Sequence, residues 1–282
     1  VIAVAEIQRL GKYPLLGLIG RGSMGTVYAS KDPDTGTPLA VKVLHSELLR
    51  DTSEDFRAML RAEALAASAL HHPGILHVLE YGEDKEDAWL VMEYSQGTSL
   101  QEHFNRHVHF SRARAVKLMC QLLEALQFAH EQGIWHRDIK PANLLISGAD
   151  RLQVADFGIA RLEAAHTQVT VLGTPGYIAP ESYRTDSVDQ RVDVFAAGVV
   201  LYQLLTDTQP FSGTPDQIMS AVCYETPPAP SVAGHSSELR PFDPVVLTAL
   251  AKEPANRFAS AADFRTALLQ AQQPTPRGAR RQ

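Results

Sequence analysis

His136-Arg137-Asp138-Ile139-Lys140-Pro141-Ala142-Asn143, followed by Asp156-Phe157-Gly158, is the stretch that decides how this chain is read. One short loop packs a carboxylate, an ammonium and an amide, and a second carboxylate follows soon after. Phosphoryl transfer from a nucleotide calls for that set. It needs a carboxylate near the acceptor hydroxyl, a cation on the moving phosphate, and oxygen ligands for magnesium.

Upstream, Gly20-Arg21-Gly22-Ser23-Met24-Gly25 fits G-x-G-x-x-G. Dinucleotide-binding folds share this spacing but require a helix directly after the third glycine. Here Thr26-Val27-Tyr28-Ala29-Ser30 follows, β-branched and strand-like. A glycine hairpin lying over phosphates is favoured, because small residues let backbone N–H groups approach a ligand. On this motif alone an ordinary glycine turn stays open. Leu39-Ala40-Val41-Lys42-Val43 places a lysine inside an apolar strand, where it is out of place unless paired or functional. Glu63 lies on the apolar face of the helix that follows, where a carboxylate is costly without a cation. Each anomaly accounts for the other, so the two are expected to pair. The alternative is that Lys42 snorkels to solvent and Glu63 marks the edge of its face.

The two segments quoted first resemble the catalytic loop and the magnesium-binding motif of protein kinases. The likeness runs from roughly Gly11 to Gln270. It takes in Gly173-Thr174-Pro175-Gly176-Tyr177-Ile178-Ala179-Pro180-Glu181, Asp193 at the start of an apolar helix, and Arg257. Lys140 with Thr174 resembles the Ser/Thr rather than the Tyr kinases. The wording of the glycine and catalytic loops resembles the bacterial, eukaryotic-like (Hanks-type) enzymes.

By resemblance, Asp138 orients the acceptor hydroxyl, Lys140 neutralises the transferring phosphoryl group, and Asn143 and Asp156 hold magnesium, with manganese as the alternative ion. Lys42, paired with Glu63, carries the α/β-phosphates of ATP under Gly20, Gly22 and Gly25. Met92 is the gatekeeper, the backbone of Glu93 and Ser95 faces adenine, and Ile19, Val27, Ala40 and Leu145 sandwich it. For these apolar residues plain core packing is an equally good reading. His136 is expected to be structural, with Phe157 stacked nearby. The remaining histidines default to surface or turn roles. Asp193 and Arg257 brace the catalytic loop and pair with Glu181. Thr174 is expected to contact Asp138 and Lys140. Thr167 and Thr170 are candidate activation-loop phosphosites, placed where a phosphate could reach Arg137.

The resemblance implies an α+β, bilobal protein-kinase-like fold, with a small β-rich N-lobe carrying one main helix and a larger, mostly helical C-lobe. Residues 1–10 read as an N-terminal extension, 11–270 as the kinase domain (N-lobe 11–94, C-lobe 98–270), and 271–282 as the start of a linker. The residues agree with this division. Short apolar runs at Tyr13 to Gly20, Thr26 to Ser30, Pro38 to Leu44, Ile75 to Tyr81 and Ala88 to Met92 are strand-like. Glu54 to Leu70 has helical spacing, started by Thr52 with Asp55. Ala113 to Gln132 and Val192 to Leu205 are long helices, the second nearly all apolar and hence buried. Thr214 and Ser260 mark further helix starts.

Bulk properties agree with a soluble globular protein. The chain has 282 residues, 45% hydrophobic and 21% charged, with a net charge of -6, so nucleic acid is not an expected partner. The two cysteines, Cys120 and Cys223, read as free thiols in a reducing compartment. The expected partners are proteins with Ser/Thr acceptors, an opposing phosphatase, and a second kinase domain for trans-autophosphorylation. The expected location is cytoplasmic, with any membrane anchor in sequence outside this chain. Two other classes stay open. A pseudokinase scaffold usually loses Lys42, Asp138, Asn143 or Asp156, all present here. Small-molecule kinases share the acid-asparagine loop but lack the Gly173 to Glu181 segment.

Overall fold

The computed structural model describes residues 8–22, 25–45, 54–84, 87–157, 174–184 and 188–273. Thr52, Gly158, Thr167, Thr170, Gly173, the Ser23-Met24 tip of the glycine motif and the tail after residue 273 lie outside them.

The apolar runs of the first third pair into an antiparallel sheet. Its strands are β3 (Gly17–Arg21), β4 (Gly25–Lys31), β5 (Pro38–Leu44), β6 (Val78–Glu83) and β7 (Ala88–Glu93), in the order β3-β4-β5-β7-β6. Helix α1 (Glu54–Ser68) covers one face. Its Leu60, Ala64 and Ala67, spaced for one helical face, join Ala40, Leu44, Leu76, Val78, Leu90 and Met92 in one cluster. A small hairpin, β1 (Arg9–Leu10) with β2 (Tyr13–Pro14), covers the other face. Leu10 and Tyr13 pack there with Leu39, Val41, Trp89 and Val91. Arg9 and Leu10, read from sequence as an extension, are therefore part of the packed lobe.

Three boundaries differ from the sequence reading. The run from Tyr13 to Gly20 splits into β2 and β3, because Pro14 has no N–H with which to extend the ladder. The run from Ile75 becomes a strand only at Val78. Ile75 and Leu76 instead bind β10 (Arg151–Val154), with Leu76 N–H donating to the Val154 carbonyl at 2.9 Å. Helix α1 stops at Ser68. Ala69 and Leu70 close it with tighter i→i−3 bonds before Pro73.

The second lobe is built on α3 (Arg112–Glu131) and α4 (Arg191–Thr206). Packed onto this lobe lie β8 (Thr98–Ser99), α2 (Leu100–Asn105) and β9 (Leu144–Ser147), which pairs with β8 and β10; Leu100, Leu144 and Ile146 enter its core. Helix α4 is buried from Val192 to Thr206. Gly198 lets it approach α7 (Asp243–Ala249), since a Cβ there would lie 2.8 Å from that of Ala249. Helices α5 (Pro215–Tyr224), α6 (Pro230–Ala233) and α8 (Ala261–Gln272) complete the lobe. Thr214 caps α5 in a capping box with Gln217, and Ser260 caps α8 by accepting the Asp263 N–H at 3.1 Å. Cys120 and Cys223 are free and part-buried. No helix among the described residues is long and apolar enough to cross a membrane.

Candidate active site

Asp193, in the first turn of α4, is fully buried and organises the loop above it. Its Oδ2 accepts the His136 N–H at 2.8 Å, and its Oδ1 accepts the Arg137 N–H at 2.7 Å. His130 Nε2 lies 2.8 Å from the same Oδ2. Burial alone would raise this carboxyl. The His130 hydrogen bond and charge, then His136, hold it below the usual carboxylate range instead. Arg137 adopts a left-handed backbone, φ 65°, which turns the chain sharply toward Asp138.

His136 is completely buried. Its Nδ1 accepts the Asp138 N–H at 3.2 Å, so Nε2 carries the proton and donates to the Ala155 carbonyl at 2.8 Å. Both ring nitrogens are spent on backbone, and Phe157 packs edge-on at 4.7 Å. The histidine is structural, as the resemblance implied.

The loop brings three polar side chains together. Lys140 Nζ lies 2.7 Å from Asp138 Oδ2. Asn143 Nδ2 donates to Asp138 Oδ2 at 3.0 Å and to the Asp138 carbonyl at 2.9 Å. Asp156 follows β10, again in the left-handed region with φ 64°. Its Oδ1 is 2.9 Å from Nζ of the buried Lys42 on β5. Burial works against ionising Asp156, but the Lys42 ammonium, with lesser help from His136 and Lys140, keeps its pKa lowered.

Lys42 thus meets Asp156 here, a pairing the sequence did not suggest. Glu63 is half-buried on α1.

Asn143 and Asp156 can be tested as metal ligands by their chemistry. Asn143 commits its amide N–H to Asp138, which leaves Oδ1 as an oxygen donor. Asp156 is an ionised carboxylate. Two hard oxygen donors suit magnesium, which takes few protein ligands and completes its shell with phosphates and water.

On the nucleotide side, β3 turns into β4, and Gly22 N–H donates to the Gly25 carbonyl at 2.9 Å. A strand does follow the third glycine. The glycines differ in purpose. A Cβ on Gly25 would collide with the Val43 carbonyl of β5, whereas one on Gly20 meets nothing and one on Gly22 makes only ordinary contact with the Gly25 carbonyl at 3.8 Å. Val27, Ala40, Met92 and Leu145 share one apolar cluster, and Ile19 is exposed. Glu93 N–H donates to the His77 carbonyl, and Ser95 Oγ donates to Gln153 Oε1 at 3.1 Å.

On the far side, Glu181 and Arg257 are both buried and meet fork to fork at 2.6 and 2.7 Å. Tyr177 is buried and donates to Gln203 Oε1 at 2.7 Å. Burial pushes its phenol up to about 12. Thr174 is exposed, and the described partners of Asp138 are Lys140 and Asn143, so the expected Thr174 contact is not made.

Residues 13–270 match the pattern of the protein kinase domain. The chain belongs to the protein kinase domain family. This kinase domain is 39% identical over 266 residues to the serine/threonine-protein kinase PknB of Mycobacterium leprae, covering 92% of this chain and 42% of that protein. It is 40% identical over 268 residues to a probable serine/threonine-protein kinase of Corynebacterium efficiens, covering 90% of this chain and 40% of that protein. The chain thus spans about two fifths of the length of these curated relatives. The crystal structure of the Mycobacterium tuberculosis PknI kinase domain superposes with a TM-score of 0.76 at 28% identity, covering 96% of this chain and 100% of that one. The relatives are bacterial Hanks-type kinases, and the two-lobed fold is theirs.

Sequence reasoning missed His130, which it assigned to the surface. Its side chain is buried because it continues the inward stripe of Leu122, Leu126 and Ala129 on α3. That helical spacing was the available signal. It also missed Gln203, which lies in the mostly apolar run of α4, and Trp135, whose ring lies beneath Arg137.

Proposed function

We propose that this kinase domain transfers the γ-phosphate of ATP to Ser and Thr hydroxyls of protein substrates. The observation that carries this is the convergence of Asp138, Lys140 and Asn143 within hydrogen-bonding distance, beside the Asp156–Lys42 pair. The names of the relatives support the Ser/Thr choice. Asp138 accepts the acceptor hydroxyl's hydrogen bond and orients its oxygen. Lys140 stands by the same carboxylate and supplies positive charge where the transferring group gains negative charge. Asn143 and Asp156 hold magnesium, or manganese, which when bound offsets phosphate charge. Lys42 binds the α/β-phosphates, with Glu63 as its counter-ion in the nucleotide-bound state. Gly20, Gly22 and Gly25 cover the phosphates. Ile19, Val27, Ala40, Met92 and Leu145 enclose adenine, and the backbone of Glu93 and Ser95 hydrogen-bonds its edge.

The reading extends to regulation by autophosphorylation at Thr167, Thr170 or both, in trans between two kinase domains and reversed by a phosphatase. The catalytic unit is taken as residues 11–270.

The test is transfer from Mg-ATP to a generic protein acceptor, with an aminoglycoside as the competing acceptor. Asp138→Asn is expected to abolish transfer while ATP affinity is kept. Asp156→Asn should lose transfer and also weaken Mg-ATP binding. Near-native turnover in either variant rejects the assignment. Phosphosite mapping should find Thr167 or Thr170 modified, and the double alanine variant should lose much of its activity. Fully active protein unmodified at both rejects the switch.

A further inference from the structure

We infer that Trp135 is a positioning residue for the catalytic loop, holding the Arg137 guanidinium and thereby the turn that presents Asp138. This rests on the reading of Asp138 as the acid at the acceptor hydroxyl. Arg137 is a non-glycine residue in the left-handed region, φ 65°, a conformation that persists only where its surroundings hold it. Asp193 holds the turn through the N–H groups of His136 and Arg137. Those bonds reach only the backbone. The side chain is held from the other side, where Arg137 Cζ lies over the Trp135 ring, 5.2 Å from its centroid. That is within cation–π range.

The neighbouring carboxylate explains why the hold matters. Asp138 is the next residue, and its Oδ2 is matched by Lys140 at 2.7 Å and Asn143 at 3.0 Å. Loosened, the guanidinium becomes a third cationic donor beside that carboxylate and competes for it. A cation lying over the ring spends none of its N–H donors on that contact. The Trp135 contact therefore coexists with the remaining contacts of Arg137. An aliphatic side chain of similar size fills the space but supplies no π-face.

The experiment measures kcat and KM for ATP in Trp135→Leu, Trp135→Phe, Arg137→Ala and the double variant with Leu. Trp135→Leu should lower kcat about fivefold with KM for ATP unchanged. Trp135→Phe should retain most of kcat. In the Arg137→Ala background Trp135→Leu should add nothing, because the contact is already gone. Full kcat in Trp135→Leu, or an equal loss with and without Arg137, overturns the proposal. If Trp135→Leu fails to fold, fluorotryptophan labelling replaces it, since fluorine drains the ring face without changing the packing. Labelled protein should lose kcat, and labelled Trp135→Phe, which reports Trp89 alone, should not. Full kcat in the labelled protein overturns the proposal. An active Asp138→Asn would overturn the underlying reading and this role with it. An inactive Asp138→Asn beside a fully active Trp135→Leu overturns the role of Trp135 alone.

Discussion

Arg257 shows how much one residue can be asked to hold. Its Nε donates to the Ala251 carbonyl, Nη1 to Glu181 and the Arg191 carbonyl, and Nη2 to Glu181 and the Lys252 carbonyl. The five donors of the fork thus meet five acceptors, and the Phe195 ring lies 5.0 Å from Cζ. Glu181, in turn, anchors the segment that begins at Thr174 to the helical lobe. A buried pair of this kind adds little net stability over an apolar pair, but losing one partner strands the other charge. Arg257→Ala or Glu181→Ala should therefore lower stability by about 3–5 kcal/mol, read by thermal or urea denaturation. Arg257→Lys should rescue only partly, because a single ammonium cannot reproduce the fork. A variant as stable as wild type would show that the charges are solvated.

The glycine hairpin carries the argument at the level of elements. One motif contains glycines required for two different reasons. Gly25 is needed by the sheet, since β4 crosses the Val43 carbonyl with no room for a Cβ. A Cβ on Gly22 would meet only the Gly25 carbonyl oxygen, at an ordinary contact distance of 3.8 Å, so the sheet does not require this glycine. Gly25→Ala should thus destabilise the lobe by about 1–3 kcal/mol through overpacking. Gly22→Ala should leave stability within about 0.5 kcal/mol and raise KM for ATP. Melting curves and ATP titrations on both variants check this, and equal melting temperatures would reject the distinction. From sequence the three glycines were one pattern. The division of labour comes from the register of β4 against β5, which pairs Gly25 with Leu44.

For the whole molecule, the buried carboxylates join fold stability to pH. Asp193 and Asp156 both have native pKa values below those of the unfolded chain. Their contribution is fully present above the unfolded carboxylate value of about 4 and is lost as pH falls through the native values. The part of stability they supply should be nearly flat from about pH 7 to about pH 5 and fall steeply below about pH 4, while His72 and His103, whose burial lowers their native pKa values, add a shallow loss below about pH 6.5. Asp193→Asn should reduce stability at neutral pH by about 1–3 kcal/mol. It should also make the acid limb shallower, because one proton-uptake site is gone. Urea denaturation across pH decides it, and an unchanged acid limb would place the acid sensitivity elsewhere. Asp193 ties α4 to the catalytic loop, so activity in the variant should fall along with stability.

Local patterns made most of the plan legible. Strand-like runs after the glycine motif, the apolar stripe of α1 and the all-apolar run of α4 are properties of neighbouring residues, and period and composition report them directly. The catalytic constellation was legible for the same reason, since Asp138, Lys140 and Asn143 sit in one loop. What crosses the chain was not. Lys42 and Glu63 looked like partners because each was anomalous in its own element. Yet nothing in either element pointed to Asp156, which packing brings to Lys42. His130 and Asp193 are 63 positions apart and become a pair only when α3 and α4 pack together. Sequence by itself determined the elements and the chemistry of the loop, because both depend on residues within a few positions. Tertiary structure alone decided which charges meet, because an ion pair depends on distance and solvent exposure, and folding sets both.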